Sequence, residues 1–235
     1  METMDTLALR IQPRAVEASD AAAPTGFVHI ERDAQQAYLL TPDEIDPSKV
    51  YPLVTVLHGA GRQDETLAKA YRDEPEARQA LFLIARSHGP TWDLISGGGR
   101  PDVDFLEYAY DLIYRRYPVD FFRQAVIGYS DGASYGLSLG LANPRIYRAI
   151  MAWAAGFIVV DPATLDADDP KPDILLEYGT HDPLFPFDQV AIPNRDALRS
   201  AGYDVTFRAD EGGRHFPSGD FQPEALDWFF DRSAT

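Results

Sequence analysis

Residues 125–142 read AVIGYSDGASYGLSLGLA, and this stretch decides the fold. A short apolar run, AVIG at 125–128, is followed at once by Tyr129, Ser130, Asp131 and Gly132 and then by a small-residue helical pattern. A serine between two glycines on a tight strand-to-helix turn sits in strained backbone, and the small flanking residues let strand and helix approach closely. The hydroxyl then projects at the carboxyl edge of a sheet, beside a helix N-terminus whose N–H groups stabilise negative charge. The bland alternative is a glycine-rich turn with an incidental serine.

Working outward, apolar runs of four to six residues recur at 53–57, 81–85, 125–128, 149–154, 174–178 and 205–208, with helical patterns between them. That alternation is the signature of βαβ units and a mostly parallel sheet with helices on both faces. The clearest helix covers 102–117. Its apolar positions Val103, Leu106, Tyr110, Ile113 and Tyr117 recur at spacings of 3 and 4, with Asp102 and Asp104 at its start and Arg115 and Arg116 at its end. This places one face on the core and complements the helix dipole. Further helices are expected near 65–71, 131–141, 194–201 and 223–231. Ahead of the sheet, GFVHI and QAYLL flank the polar turn ERDAQ and read as an antiparallel hairpin. Residues 1–25 are expected to form a leader segment, loosest over the proline- and alanine-rich 13–25, and residues 26–235 a single domain.

A serine hydroxyl needs a base, and the base needs an orienting group. This architecture supplies them in the chain order Ser, Asp or Glu, His. Asp182 follows the run ILLEY within GTHDP, and His215 lies in the loop EGGRHFP after the last strand. Ser130, Asp182 and His215 are therefore the expected catalytic residues. Asp188 is a second candidate orienter, and His181 stands in the wrong order for the base. His58-Gly59-Ala60-Gly61 follows the run LVTVL directly, where a second oxyanion loop belongs. The backbone N–H groups of Ala60 and Asp131 are the expected oxyanion donors, with His58 bracing the loop. Trp92 stands where it either lines the pocket or caps the core, and Phe185 and Phe187 are candidate pocket walls.

HGAG, GYSDGASYGLSLGLANP, GTHDPLFP and GGRHFP, in this order, resemble the phospholipase/carboxylesterase branch of the α/β-hydrolase superfamily, over roughly 26–232. That branch includes acyl-protein thioesterases, small carboxylesterases and polyhydroxybutyrate-depolymerase-like esterases. The resemblance implies an α/β-hydrolase fold and the same three catalytic residues. Where thioesterases of the branch carry Gln after the nucleophile this chain has Asp131, and their apolar acyl-channel loop has no counterpart. A serine esterase acting on a small-molecule ester is therefore expected, with a thioesterase or short-peptide hydrolase as the enzymatic alternative. A non-catalytic binding protein of the same fold is the alternative of another class.

Composition narrows the rest. With 37 acidic and 21 basic residues the formal net charge is −16, which disfavours nucleic acid and anionic membrane surfaces as partners. No cysteine is present, so thiolate chemistry and cysteine-bound metals are excluded. SGGGR at 96–100 lacks the Lys-Ser/Thr of a phosphate loop, and there is no HExxH, so neither cofactor nor metal is expected. The sequence as it stands suggests a cytoplasmic protein. Residues 155–173 hold three prolines and five aspartates, too broken a stretch for an amphipathic lid helix, and an open site is expected.

Overall fold

A computed structural model of the protein describes residues 6–12, 23–97, 100–164, 168–217 and 219–232. The hairpin forms from β1 (Phe27–Arg32) and β2 (Gln35–Leu40). Its turn is tighter than the sequence suggests: Arg32 pairs with Gln35, leaving only two turn residues, and Asp33 takes φ 55°. Aspartate tolerates that left-handed conformation better than most side chains do.

The parallel body comprises β3 (Tyr51–Leu57), β4 (Leu81–Ala85), β5 (Val119–Tyr129), β6 (Ala149–Trp153), β7 (Asp173–Gly179) and β8 (Val205–Asp210). Together the strands form one eight-stranded sheet in the order β1-β2-β4-β3-β5-β6-β7-β8. β2 joins the body antiparallel to β4, and every later pair is parallel. β3, β4 and β6 are buried along their whole length, as strands covered by helices on both faces should be. β5 is longer than expected. It starts at Val119, which pairs with Tyr51, but its first half alternates half-buried and exposed residues, including Phe121 and Phe122. That mixed stretch carries no clean apolar run, and its register with β3 is broken between Val119 and Gln124.

The connecting helices are α1 (Asp64–Ala70), α2 (Glu74–Arg78), α3 (Asp93–Ser96), α4 (Pro101–Arg116), α5 (Asp131–Ala142), α6 (Ala191–Ser200) and α7 (Phe221–Arg232). α2 and α3 span only five and four residues and are too short to show a period. Apart from Asp131, α5 is buried on every side. Of the expected leader, residues 13–22 lie outside the described residues. Residues 6–12 pack against the end of α5: Leu9 and Ile11 are buried, and the Asn143 side chain donates to Leu9 O (2.8 Å) and accepts from Ile11 N (2.7 Å).

The chain places β4 on one side of β3 and then crosses to place β5 on the other. Loops leaving β3 and β5 therefore diverge, and a crevice opens between their carboxyl ends. The close approach there depends on two glycines. A Cβ on Gly128 would stand 2.2 Å from Gly132 O, and one on Gly132 would stand 2.4 Å from the carbonyl oxygens of Leu57 and His58. Gly132→Ala must push rigid backbone apart, and it is expected to cost at least about 3 kcal/mol or prevent folding. Urea denaturation checks this, and an unchanged midpoint would contradict the packing described.

Candidate active site

Ser130 joins β5 to α5 at φ 54° and ψ −116°, a backbone conformation that residues with a side chain seldom adopt. The strain is held from both sides: Ser130 N donates to Trp153 O (2.9 Å), and Ser130 O accepts from Ala133 N (2.9 Å) and Ser134 N (3.0 Å). Ser130 Oγ lies 2.7 Å from His215 Nε2. On the far side of the ring, His215 Nδ1 lies 2.7 Å from Asp182 Oδ2. The other carboxylate oxygen, Oδ1, accepts the amides of Leu184 (2.8 Å) and Phe185 (3.0 Å). Asp182 is thus a filled acceptor, which calls for a proton on Nδ1 and leaves the Nε2 lone pair facing the serine hydroxyl.

These two side chains arrive on separate loops that are laced together. Thr180 N donates to Asp210 O, His181 N donates to Gly213 O (2.8 Å), and Gly212 N donates to Thr180 Oγ1 (2.8 Å). The Trp153 indole N–H donates to His215 O (2.7 Å) and pins the histidine loop to the end of β6. Asp188 is exposed, and so is His181, which contributes backbone only. Of the alternatives in the sequence, geometry joins Asp182 and His215 to Ser130.

The loop after β3 reaches the same point. His58 is fully buried, donates through Nδ1 to Gly59 O (2.5 Å) and accepts Ser87 N at Nε2 (3.0 Å). Burial holds its pKa below the ordinary histidine value. Gly61 N donates to Pro90 O (2.9 Å), and the Arg62 guanidinium donates to Gly89 O (2.6 Å) and His88 O. Ala60 and Asp131 both line the cleft beside Ser130, and Asp131 opens α5, where helix amides lack intrahelical acceptors. Thr91 Oγ1 donates to Asp131 Oδ2 (2.6 Å). One segment, 87–91, therefore braces both expected oxyanion donors.

Trp92 does not line the cleft. It is 1% exposed and stacks between His58 and Tyr135, and its indole donates to His58 O (2.9 Å). Of the two places the sequence left open, it takes the core, packed behind the loop that follows β3. Phe185 does line the cleft, edge-on to His215 at 5.2 Å. Phe187 instead packs on Phe207 of β8.

The cleft has a volume of about 650 Å³, and Leu67, Tyr129, Trp153, Leu184, Phe216 and Phe221 complete most of its apolar wall. Sequence reasoning missed these. Tyr129 and Trp153 carried one usable signal, being paired at the carboxyl ends of neighbouring strands. A larger depression of about 750 Å³, lined by Ile11, Tyr114 and Asn143 among others, lies at the opposite edge of the sheet and holds no nucleophile–base pair. The described part of 155–172 contains only one short 3₁₀ turn, Pro162–Thr164. It lies down on α5, with Gly156 N bonded to Ser134 Oγ (2.8 Å) and Val159 N to Ser138 Oγ (3.2 Å), and none of it lines the cleft.

The bracing segment is itself anchored by two buried carboxylates. Asp102 accepts the amides of His88 (2.5 Å) and Asp93 (2.7 Å), and Asp93 accepts that of Asp102 (2.9 Å). Burial first, and then the charge of Asp102, push Asp93 up to about 6; burial also raises Asp102. A carboxyl raised on folding contributes stability that is full below its unfolded value and is lost as pH rises through its folded one. Unfolding free energy should therefore lose up to about 3 kcal/mol from this group between about pH 4 and pH 6. Asp93→Asn should flatten that part of the curve. Urea titrations across this range decide it, and identical slopes in both proteins would refute the assignment.

No protein-family profile matches the sequence, and no curated protein matches it either. Solved structures do. A thermostable esterase superposes with a TM-score of 0.65 at 19% identity, over 87% of this chain and 62% of its own, so the chain spans under two thirds of that protein. Esterase PE8 superposes with a TM-score of 0.63 at 20% identity, over 88% and 99%. A ferulic acid esterase from the anaerobic fungus Anaeromyces mucronatus gives a TM-score of 0.66 at 14% identity, over 96% and 98%. At these identities the likeness speaks for architecture, and the architecture is the α/β-hydrolase fold.

Proposed function

We propose that the protein is a serine hydrolase of carboxylic esters, of the phospholipase/carboxylesterase type, with residues 26–235 as its catalytic domain. The observation that carries this reading is the continuous chain Ser130 Oγ, His215 and Asp182, with both contacts at 2.7 Å, opening into an apolar cleft. The esterases among its structural neighbours support the same reading.

In the proposed mechanism His215 Nε2 takes the serine proton as Oγ attacks the ester carbonyl. Asp182 holds the Nδ1–H tautomer and stabilises the imidazolium that forms. The amides of Ala60 and Asp131 donate to the oxyanion from positions fixed in advance, each worth about a hundred- to a thousand-fold in rate. The tetrahedral intermediate collapses as His215 returns the proton to the leaving alcohol. Water, activated by the same base, then cleaves the acyl-enzyme and releases the acid. The strained backbone at Ser130 leaves its hydroxyl exposed to the carbonyl and its following amide free to bind the oxyanion.

A fluorophosphonate probe should label Ser130, and Ser130→Ala should lower kcat by about a million-fold. Asp182→Asn should lose about four decades while Asp188→Asn and His181→Ala keep most of the rate. Labelling of another serine, or full activity in Ser130→Ala, would refute the reading. Because none of the described residues of 155–172 lines the cleft, the rate on tributyrin should saturate smoothly through its solubility limit. A sharp rise at that limit would mean a flap covers the site.

A further inference from the structure

The cleft beside Ser130 is walled by aromatic and aliphatic side chains, yet the residue bonded to the nucleophile is an acid. Among the described residues that line it, Asp131 is the one carboxylate, and no lysine or arginine is present. Thr91 fixes the position of that carboxylate through Oδ2. Consecutive Cα atoms lie about 3.8 Å apart, so the charged residue is the immediate chain neighbour of the nucleophile. The chemistry itself asks only for the Asp131 amide. A negative side chain next to an oxyanion hole raises the energy of the oxyanion, so a neutral residue would serve that purpose better. A fixed, half-buried anion in a low-polarity cleft acts strongly on substrate charge, because little water screens it.

We propose that Asp131 is a specificity-determining residue that selects substrates by charge, favouring esters with an ammonium group near the scissile carbonyl and rejecting anionic acyl groups. The inference rests on the ester-hydrolase reading of Ser130. The apolar walls, with Phe185, Phe216 and Phe221 among them, fit an aromatic or branched aliphatic side group on the same acyl unit. The ammonium takes no part in bond making; its attraction to Asp131 holds the acyl group in place and offsets the charge that would otherwise oppose the oxyanion. The net charge of −16 draws cations toward the whole surface as well, and the test must separate that long-range field from the local carboxylate.

Three p-nitrophenyl esters that differ at one carbon make the test: 3-phenylpropanoate, phenylalanine, and benzylmalonate esterified at one carboxyl. These are neutral, cationic and anionic at about pH 6.5, where an α-amino group is protonated. Each kcat/KM is divided by that ester's spontaneous hydrolysis rate at the same pH, which removes the intrinsic activating effect of the substituent in the same protonation state. The wild-type protein should rank cation over neutral over anion by about tenfold per step, and salt should narrow the steps. Asp131→Asn keeps an acceptor for Thr91 and should bring the three values within about threefold of one another. A purely structural role for Asp131 would instead change all three esters by one factor. Equal values in the wild type, or an unchanged ranking in Asp131→Asn, would overturn the proposal while leaving the esterase reading intact; the wild-type ranking decides even if the variant does not fold. Failure to turn over the neutral ester, together with no fluorophosphonate labelling of Ser130, would overturn both.

Discussion

The contact between the β5–α5 turn and the end of β3 is the constraint on which the site depends. Gly128 and Gly132 bring backbone to backbone at distances no Cβ would permit, and Ser130 is lifted between them at φ 54°. Such a conformation persists only where the surroundings over-determine it. Here the surroundings are the bond to Trp153 O, the first turn of a buried α5 and the fully buried β3. The strain of one residue is thus held by the buried centre of the sheet, and the serine is presented at the point where strand order reverses.

The partners of the serine come from the other end of the sheet, and their placement is a loop problem. Asp182 is immobilised by two backbone amides. His215 is immobilised by the Trp153 indole, and the two loops are stitched to each other by main-chain bonds. A general base must stay within hydrogen-bond reach of its proton donor. Buried bonds to a tryptophan at the end of β6 give that precision to a segment that has little secondary structure of its own. On the opposite side, His58 and Trp92 do the same for the loop of Ala60. In sequence His58 reads as a brace for that loop and Trp92 as either pocket lining or core cap; both rings are wall.

Charge follows the same division of labour. The acids on the outer surface are mostly solvated and their ion pairs are exposed, so they contribute little to stability. Three buried acids have specific tasks. Asp182 bonds the ring of His215, Asp102 accepts the amides of His88 and Asp93, and Asp93 accepts that of Asp102, with burial raising the pKa of both. Asp131 is half-buried and lines the cleft, the position from which we propose that it selects substrates by charge.

The parallel sheet, the helix over 102–116 and the serine turn were legible in the sequence, because apolar periodicity and the glycine spacing around Ser130 are local consequences of strand and helix geometry. The order Ser, Asp, His was legible too, since it reflects the order in which strands deliver their carboxyl ends. What lay beyond sequence were properties of contact between distant segments. The exposed first half of β5, where the register with β3 breaks between Val119 and Gln124, carries no apolar period that would announce a strand. Trp92 had no local reason to prefer core over cleft until His58 and Tyr135 closed on it. Trp153, Phe216 and Phe221 share no pattern in the chain and meet only when β6, the histidine loop and α7 converge. Periodicity along the chain fixes which elements form and which ends they expose. Which side chains share a cavity is settled by packing across the sheet, and no local pattern encodes that distance.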